Sequence, residues 1–286
     1  MVLRNHYELK GDRFHLSLGK KTSIMGVLNI TPDSFSDGGL FFQRDKAIAQ
    51  GEALAAQGAD LLDIGGESTR PFSDPVSTQE EIQRIVPVIR ELVKRISIPL
   101  SVDTYKAEVA KAALDAGAAL VNDISALGFD PDLARVIAEY RVPVILMHMQ
   151  GSPRDMQVNP RYNHLLEDIR QFLMERITWA QNQGIHREHI LIDPGIGFGK
   201  SFSQNLTLIK RLDYFQDLDL PLVLGTSRKA FIGHITGQEP LNRDWGTAAT
   251  LAIGIWQGAH MVRVHNVAAA KQVLAVADAL AEVSEQ

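Results

Sequence analysis

The sequence lacks cysteine entirely over its 286 residues. This absence excludes disulfide bonds, thiolate metal sites and cysteine nucleophiles, and it is compatible with a reducing compartment. The sequence also lacks long apolar runs, since none approaches the ~20 residues of a membrane span. The first residues, MVLRNHYELKGDRF, contain no apolar signal core. We therefore expect a soluble cytoplasmic protein that does not enter a membrane.

A strong excess of charge of one sign is also missing. The chain has 29 basic and 34 acidic residues, for a net charge of −5. No overall field would draw such a protein to nucleic acid or to an anionic membrane, so we expect neither as a partner. An anionic ligand would have to be bound by a local cluster of side chains.

The content of hydrophobic residues, 45%, is enough for a large core in a chain of this length. Four segments repeat one pattern, in which a helical stretch stops at glycine and a short apolar run ending in polar residues follows. They are AAQGADLLDIGGE, LDAGAALVNDI, NQGIHREHILIDPG and WQGAHMVRVHN. Glycine caps a helix in the left-handed conformation at low steric cost, and a strand starts soon afterwards. The pattern indicates alternating helices and strands.

Extending the pattern along the chain predicts eight strands, each followed by a helix. The predicted strands are 23–29, 60–64, 98–103, 118–123, 142–147, 189–193, 221–226 and 260–265. The predicted helices are 44–57, 78–94, 106–116, 131–139, 163–183, 204–212, 245–257 and 268–282. The second helix begins with Ser77-Thr-Gln-Glu80, which has the spacing of a capping box.

Eight near-continuous apolar strands that alternate with helices predict a parallel sheet covered on all sides. The fold class is therefore α/β, and a closed (β/α)8 TIM barrel in one domain is the natural solution. The alternative is an open doubly wound sheet. We assign residues 23–286 to the barrel and residues 1–22 to an N-terminal extension, in which GDRFHLSLGKK could pair as a hairpin that closes the bottom of the barrel.

Polar residues stand at the carboxyl ends of the predicted strands, where the chemistry of a (β/α)8 barrel gathers. They are Asn29, Asp63, Asp103, Asn122, Asp123, His148, Asp193, Ser227, Arg228, Lys229, Arg263 and His265. Any one of them could simply be a soluble strand terminus. As a set they converge on one mouth, which favours a functional site.

The polar strand ends divide into two chemical groups. Asp103, Asn122 and Asp193 offer acceptors that suit a flat heterocycle with an amidine-like N–C–N edge. The second group offers donors that suit phosphate oxygens. Its members are Asn29, Arg70, Arg263 and His265. The sequence thus predicts one end of the site for a ring and another for an anion.

Two predicted loops are long, NITPDSFSDGG after the first strand and GGESTRPFSDPVS after the second. Loops of this length and composition can close over a reacting substrate, although they could also be surface decoration.

Asp63 and Glu67, on either side of Gly65-Gly66, could be an acid/base pair or two structural carboxylates of a turn. His148 between two methionines is better explained as a hydrogen-bonded strand-end histidine than as a metal ligand.

The glycine-rich segment ILIDPGIGFGKS, residues 190–201, has similarities to phosphate-binding loops. A Walker loop requires glycine five residues before Gly199, where the chain has Pro194, and a dinucleotide loop requires glycine where Lys200 stands. Both assignments therefore fail on spacing.

Taken together, several motifs resemble the dihydropteroate synthase family. They are MGVLNITPDSFSDGG, DIGGESTRP, SVDT, NDI, LMHMQG, DPGIGFGK, TSRK and RVHNV, in this order between residues 25 and 267. The resemblance implies a transferase of folate biosynthesis that condenses 6-hydroxymethyl-7,8-dihydropterin diphosphate with 4-aminobenzoate, giving 7,8-dihydropteroate and diphosphate. It also implies Mg²⁺ as cofactor and a homodimer.

The resemblance implies a role for each matching residue. The pterin would contact Asp103, Asn122, Ile124, Met147, Asp193, Lys229 and Arg263. The aminobenzoate would contact Phe35, Thr69, Arg70, Pro71, Phe198 and Lys229. The diphosphate would contact Asn29, Arg263 and His265, and Asn29 would also bind Mg²⁺. The catalytic residues would be Asp103, Lys229, Arg263 and His265.

Three residues depart from the pattern of that family. Phe72 stands where glycine is frequent, Ala230 where serine is usual and Asn266 where aspartate is common. We expect altered affinity for aminobenzoate rather than lost activity. The alternative functions are a methyltetrahydrofolate-dependent methyltransferase barrel and a catalytically silent pterin-binding barrel, and a phosphate-loop NTPase is the weakest alternative.

Overall fold

A computed structural model of the protein describes residues 4–11, 14–31, 40–69 and 73–283. The strands are β1 (Tyr7–Gly11), β2 (Phe14–Leu18), β3 (Ser23–Asn29), β4 (Leu61–Gly65), β5 (Leu100–Asp103), β6 (Leu120–Asp123), β7 (Val144–Met147), β8 (Ile190–Asp193), β9 (Val223–Leu224) and β10 (Met261–Val264). The helices are α1 (Leu40–Gln57), α2 (Thr78–Arg95), α3 (Ala107–Asp115), α4 (Asp132–Tyr140), α5 (Leu165–Asn182), α6 (Phe202–Lys210), α7 (Ala230–Thr236), α8 (Asp244–Trp256) and α9 (Val267–Glu282).

The eight strands from β3 to β10 form one parallel sheet in the order β8-β7-β6-β5-β4-β3-β10-β9. Strands that follow one another in the chain are neighbours in this sheet, and the two end strands also meet. A bridge joins Ile192 to Leu222, and the Ile192 N–H donates to the Pro221 carbonyl at 3.0 Å. The predicted barrel is therefore confirmed, and the open doubly wound alternative is wrong.

Apolar side chains fill the barrel below its mouth. The lower interior is occupied by Met25, Leu61, Leu120, Ile145, Leu191, Val223 and Met261. Leu9 and Leu18, from the antiparallel strands β1 and β2, pack against this layer and are almost fully buried. An N-terminal hairpin thus closes the bottom of the barrel as predicted, although its first strand begins at Tyr7, before the predicted segment 11–21. The carboxyl ends of the strands are left as the open face.

The seventh unit of the barrel differs from the prediction. Strand β9 has only two residues where six were expected, and the short helix α7 was not predicted. A helix of two turns carries too little periodicity to be found in a sequence. It nevertheless buries Phe231 and Ile232 against the barrel.

Capping explains how two helices begin. At α2, the Ser77 side chain accepts from the Glu80 N–H at 3.2 Å, but the Glu80 carboxylate pairs with Arg84 instead of closing the box. A complete capping box stands at α6, between Ser201 and Gln204, so this helix starts two residues before its predicted beginning. None of the described helices has the length and apolarity needed to cross a membrane.

The segment before the hairpin is fixed to the last helix by a buried ion pair. Arg4 Nη2 lies 2.8 Å from Asp278 Oδ1, and both side chains are buried. Asp278 also accepts from the N–H and the hydroxyl group of Thr22, each at 2.8 Å. One carboxylate therefore joins the N-terminal segment, the start of β3 and α9.

Replacing Asp278 should destabilise the protein. The substitution Asp278→Ala leaves the Arg4 guanidinium and the Thr22 N–H without their acceptor in a buried site, which costs about 3 kcal/mol. Urea unfolding measures the loss. Glu282→Ala, at an exposed position of the same helix, is the matched control. Equal unfolding midpoints for the two variants would contradict the assignment.

Candidate active site

A cavity of about 860 Å³ opens at the carboxyl ends of the barrel strands. This volume lies within the range of small-molecule sites. Eleven of the site residues expected from the sequence line it together. They are Asn29, Thr69, Asp103, Asn122, Ile124, Met147, Asp193, Phe198, Lys229, Arg263 and His265. The carboxylates of Asp103 and Asp193 thus border one space. Phe35, Arg70 and Pro71 lie outside the described residues.

Sheet register explains why these side chains meet. Asp103 ends β5, and its neighbours in the sheet are Gly65 on one side and Asn122 on the other. Asp193 ends β8 beside Met147 of β7. Neighbouring parallel strands end at similar heights in a barrel, so their last residues form one rim. Gly65 has no side chain, which leaves room between the strand ends.

Arg263 is bound by two carboxylates. Its Nε donates to Asp63 Oδ2 and its Nη2 donates to Asp103 Oδ2, each at 2.6 Å. Asn122 Nδ2 donates to the same oxygen of Asp63 at 2.9 Å. Asp63 is fully buried and therefore fixes both a guanidinium and an amide that line the cavity. Oδ1 of Asp103 is buried and has no hydrogen-bond partner within the described part of the chain.

Burial shifts the titration of the charged groups in the cavity. It raises the pKa of Asp103 to about 7, against the opposing charge of Arg263. It also raises the pKa of Asp193, while the Gly195 N–H and Lys229 oppose the shift. Burial and the charge of Arg263 lower the pKa of Lys229 to about 8. Carboxylates and amines with such shifted values are typical of functional sites.

The glycine-rich loop is held by a buried lysine. Lys200 Nζ lies 2.9 Å from His148 Nδ1 and donates to the carbonyl oxygens of His148 and Phe198 at 3.2 and 2.8 Å. These contacts use all three of its donors. Gly195, at φ +72°, lies so close to the His148 carbonyl that a Cβ atom would be 1.9 Å from that oxygen. Lys200 is therefore a structural residue, and His148 is a hydrogen-bonded strand-end histidine as expected.

The loop presents one face to the cavity. The Gly195 N–H donates to Asp193 Oδ1 at 2.7 Å, which orients that carboxylate. Lys229 Nζ lies 4.0 Å from the centroid of the Phe198 ring, within the range of a cation–π contact. Gln157 Nε2 donates to the Gly197 carbonyl at 2.7 Å. The loop thus places an acceptor and an aromatic ring at the same opening.

The strand end at His265 is oriented by a serine. Ser227 Oγ lies 3.0 Å from His265 Nδ1 and accepts from the His265 N–H at 3.2 Å. His265 shares the cavity wall with Asn29 and Arg263. These three side chains can present donors to an anionic group.

Several residues in or beside the cavity had no predicted role in ligand binding. Ser227 was expected only as a strand end, and the fully buried Asp63 as a strand end or as one half of a pair with Glu67. The sequence did not show that these two residues orient Arg263, Asn122 and His265. Met156 and Gln157 also line the cavity. They lie in a segment that has no hydrophobic periodicity, so no sequence pattern indicated that they belong to the site. Asp63 and Glu67 have separate partners, which favours two structural carboxylates over an acid/base pair.

The structure describes two of the three residues that depart from the family pattern. Asn266 Oδ1 accepts from the Ala269 N–H at 3.0 Å, and its Nδ2 donates to Asp244 Oδ2 at 2.7 Å. An amide fits beside this aspartate, whereas a carboxylate would be repelled by it. Ala230 begins α7 and lines the cavity without a hydroxyl group. Phe72 lies outside the described residues.

The chain is similar to known pterin-binding enzymes in sequence and in fold. A family model described as pterin binding enzyme matches residues 25–265. Dihydropteroate synthase of Synechocystis sp. is 48% identical over 263 residues, which are 92% of this chain and 91% of that protein. The structure of Xanthomonas albilineans dihydropteroate synthase with 4-aminobenzoic acid is 43% identical, has a TM-score of 0.91, and the match covers 98% of this chain and all of that one (100%). The structure of the same enzyme in complex with 7,8-dihydropteroate is 42% identical with a TM-score of 0.87, covering 97% of this chain and 100% of that one.

Removing the cation between the two carboxylates should destabilise the fold. Arg263→Met leaves Asp63 and Asp103 buried without a counter-charge, and we expect the free energy of unfolding to fall by about 3–5 kcal/mol. Adding Asp63→Asn and Asp103→Asn to this variant should restore part of the loss, because the uncompensated charges disappear. Urea unfolding of the wild type and both variants tests this, and a single variant as stable as the wild type would contradict the role of the pair.

Proposed function

The chain belongs to the dihydropteroate synthase family of pterin-binding enzymes, and we propose that the cavity at the barrel mouth holds both substrates of that reaction side by side. The enzyme is a transferase of folate biosynthesis. It condenses 6-hydroxymethyl-7,8-dihydropterin diphosphate with 4-aminobenzoate to give 7,8-dihydropteroate and diphosphate. The observation that carries the proposal is the lining of one cavity by Asp103, Asn122 and Asp193 together with Arg263 and His265.

The acidic side of the cavity binds the pterin ring edgewise. Asp193 accepts from the 2-amino group and the adjacent ring nitrogen, because a carboxylate can accept two parallel hydrogen bonds from an N–C–N edge. Asn122 and Asp103 bind further polar atoms of the ring, and Lys229 donates on the side of the ring carbonyl. Ile124, Met147 and the guanidinium of Arg263 pack around the ring. The support is the shared lining of these residues and the buried apolar cluster that contains Ile124 and Met147.

The donor side of the cavity binds the diphosphate. Arg263 and His265 stabilise the negative charge that develops as the C–O bond to the diphosphate breaks. Ser227 supports this role, because it fixes the orientation of the His265 ring. Asn29 contributes to the same side.

We assign Mg²⁺ to the position between Asn29 and the diphosphate. The described residues contain no group of three His, Cys, Asp or Glu side chains that could hold a metal by themselves. A site made of one amide oxygen, substrate phosphate oxygens and water fits the preference of Mg²⁺ for oxygen ligands and retained water. When bound there, the ion neutralises charge on the leaving diphosphate.

The aminobenzoate lies on the side of Thr69, Phe198 and Lys229. The Phe198 ring packs against the arylamine, while the ammonium group of Lys229 lies above that ring. Arg70, Pro71 and Phe35 are assigned to the same side by their position in the family motifs. Ala230 offers no hydroxyl group to the carboxylate of the substrate. For this reason we predict an altered affinity for aminobenzoate.

The bond change follows from these parts. Diphosphate departs with the electron pair of the C–O bond and leaves a cationic methylene group conjugated with the pterin ring. Asp103 stabilises this cation, and the arylamine nitrogen then forms the new C–N bond and loses a proton. A weak nucleophile reacts readily with a carbocation, so we favour this dissociative path over concerted displacement. Asp103, Lys229, Arg263 and His265 are the catalytic residues.

The alternative functions fit the cavity less well. A methyltetrahydrofolate-dependent methyltransferase has no diphosphate to bind, so it gives no role to Asn29, Arg263 and His265 as a donor group. A silent pterin-binding barrel would bind the pterin and form no product. An assay of turnover with both substrates separates this alternative from the synthase.

We also propose a homodimer formed through α8. Its exposed face carries an apolar stripe with Trp245, Ala249, Ile253 and Trp256 one or two turns apart, and Trp245 is 89% exposed. A stripe of this kind indicates a protein interface, and a second copy of the chain is its proposed occupant. Sedimentation at micromolar concentration tests this, since a monomer would contradict it.

We place the enzyme in the cytoplasm, supported by the lack of cysteine, and cell fractionation tests this location.

Changing one atom of Asp193 should weaken pterin binding without unfolding the protein. In Asp193→Asn the amide oxygen can keep the bond to the Gly195 N–H, and its NH2 group then faces the N–H groups of the ring. We expect the dissociation constant of the pterin substrate to rise between about 10-fold and 100-fold. Calorimetry measures it, with Asp132→Asn at an exposed site as control. Unchanged affinity would remove Asp193 from the ring site.

Removing the amide of Asn29 should weaken the effect of Mg²⁺ on diphosphate binding. In the wild type, Mg²⁺ should tighten binding of inorganic diphosphate together with a pterin at the cavity. In Asn29→Ala the gain should fall by about 10-fold, because the ion loses its protein ligand. Calorimetric titrations with Mg²⁺ and with chelator measure this directly, and an equal gain in both proteins would refute the assignment.

A further inference from the structure

A buried cluster of charged side chains stands beside the cavity and has no part in the mechanism above. Lys106 Nζ, just before α3, donates to Glu67 Oε2 at 2.6 Å and to Glu81 Oε2 at 2.7 Å. Its third contact is the carbonyl oxygen of Val76, at 2.5 Å. The side chains of Lys106, Glu67 and Glu81 are 13%, 7% and 1% exposed. The ammonium group thus binds two acceptors in the connection between β4 and α2, Glu67 and Val76, and one in α2 itself, Glu81.

The cluster ties the two ends of that connection together. Glu67, near its start, accepts from the N–H of Val76, near its end, at 3.1 Å. Lys106 binds the carbonyl of the same residue, so both polar groups of Val76 are fixed beside Glu67. Arg84 of α2 adds a bond to the Gly66 carbonyl at 2.7 Å. The described ends of the connection are therefore held by side chains of α2 and of the segment before α3.

The same cluster reaches the cavity from two directions. Glu67 and Thr69 both line it. Tyr105 donates from its hydroxyl group to Glu67 Oε1 at 2.8 Å, and its ring packs against the apolar cluster that contains Phe198. Tyr105 and Lys106 follow Asp103 closely in the chain. A single strand end therefore carries a catalytic carboxylate and the residues that hold the neighbouring loop.

The composition of the cluster favours positioning over simple stability. Two carboxylates and one ammonium group are buried there, and burial raises the pKa of Glu81 against the effect of Lys106. Glu81 Oε1 has no hydrogen-bond partner among the residues that the structure describes. Apolar side chains would fill the same space with a smaller desolvation cost. The ammonium group of Lys106 adds directional hydrogen bonds, which fix Glu67 and Val76 at defined distances.

We propose that Lys106 is a positioning residue for the second substrate, because it fixes both ends of the β4–α2 connection and so sets Thr69 in the wall where aminobenzoate binds. This inference rests on the proposed function of the cavity. Lys106 touches neither substrate, and it acts through Glu67 and Val76.

The test separates the two substrates. In Lys106→Met, we expect the KM for 4-aminobenzoate to rise about 10-fold or more, since misplacement of a contact by about 1 Å has effects of this size. The KM for the pterin diphosphate should stay within about twofold, because in the described part of the chain Asp103, Asn122 and Asp193 bond to residues other than Lys106, Glu67 and Val76. Lys111→Met is the matched control, since this lysine of α3 is 56% exposed.

A second variant avoids leaving two carboxylates without a cation. Tyr105→Phe removes one hydrogen bond to Glu67 and no charge, so it keeps the fold while loosening the same group. It should raise the KM for aminobenzoate in the same direction by about threefold, which corresponds to a modest hydrogen bond.

Each outcome has one meaning. Equal rises in both KM values, or a fall in kcat with both KM values unchanged, would overturn the positioning role. So would an unchanged KM for aminobenzoate in both variants while the wild type forms dihydropteroate. If the wild type itself formed no dihydropteroate from the two substrates, the proposed function would fail instead.

Discussion

The guanidinium group of Arg263 between the carboxylates of Asp63 and Asp103 is the interaction on which the barrel mouth depends. It joins β10 to β4 and β5 across the open face, at 2.6 Å to each partner. Asp63 also binds the amide of Asn122, so the side chains proposed for the pterin and those proposed for the diphosphate share one buried partner. A buried charge network of this kind is costly to assemble, and its stability requires every partner to be present. The orientation of Arg263 and Asn122 therefore depends on Asp63.

The two faces of the barrel serve different purposes. At the bottom, Leu9 and Leu18 of the hairpin cover an apolar layer, and Asp278 fixes the preceding segment to α9. At the top, polar strand ends surround a cavity large enough for a bicyclic ring and a second aromatic molecule. Because the closed bottom supplies stability, the top can hold carboxylates and amines whose burial is unfavourable.

Lysines in this protein show how surroundings decide the role of one residue type. Lys200 uses its three donors on His148 and Phe198 and supports the glycine-rich loop. Lys106 uses its donors on the β4–α2 connection and on Glu81 of α2. Lys229 contacts the Phe198 ring, and the charge of Arg263 together with burial lowers its pKa to about 8. Only this last lysine has donors left for a substrate, which agrees with its proposed place between the two ligands.

The sequence by itself determined the alternation of helices and strands, the barrel and the polar residues at the strand ends, because these features follow from local periodicity and from the direction of parallel strands. It also contained the motifs that led to the family. Only the tertiary structure decided which polar residues meet. Asp63 binds Arg263 across 200 positions of the chain, and Ser227 orients His265 across 38. The short helix α7 and the cluster around Lys106 were equally hidden, since neither has a periodic pattern. Such contacts depend on closure of the barrel, which brings strand ends that are distant in the sequence to one rim. Local sequence patterns do not show which of these distant residues will be in contact.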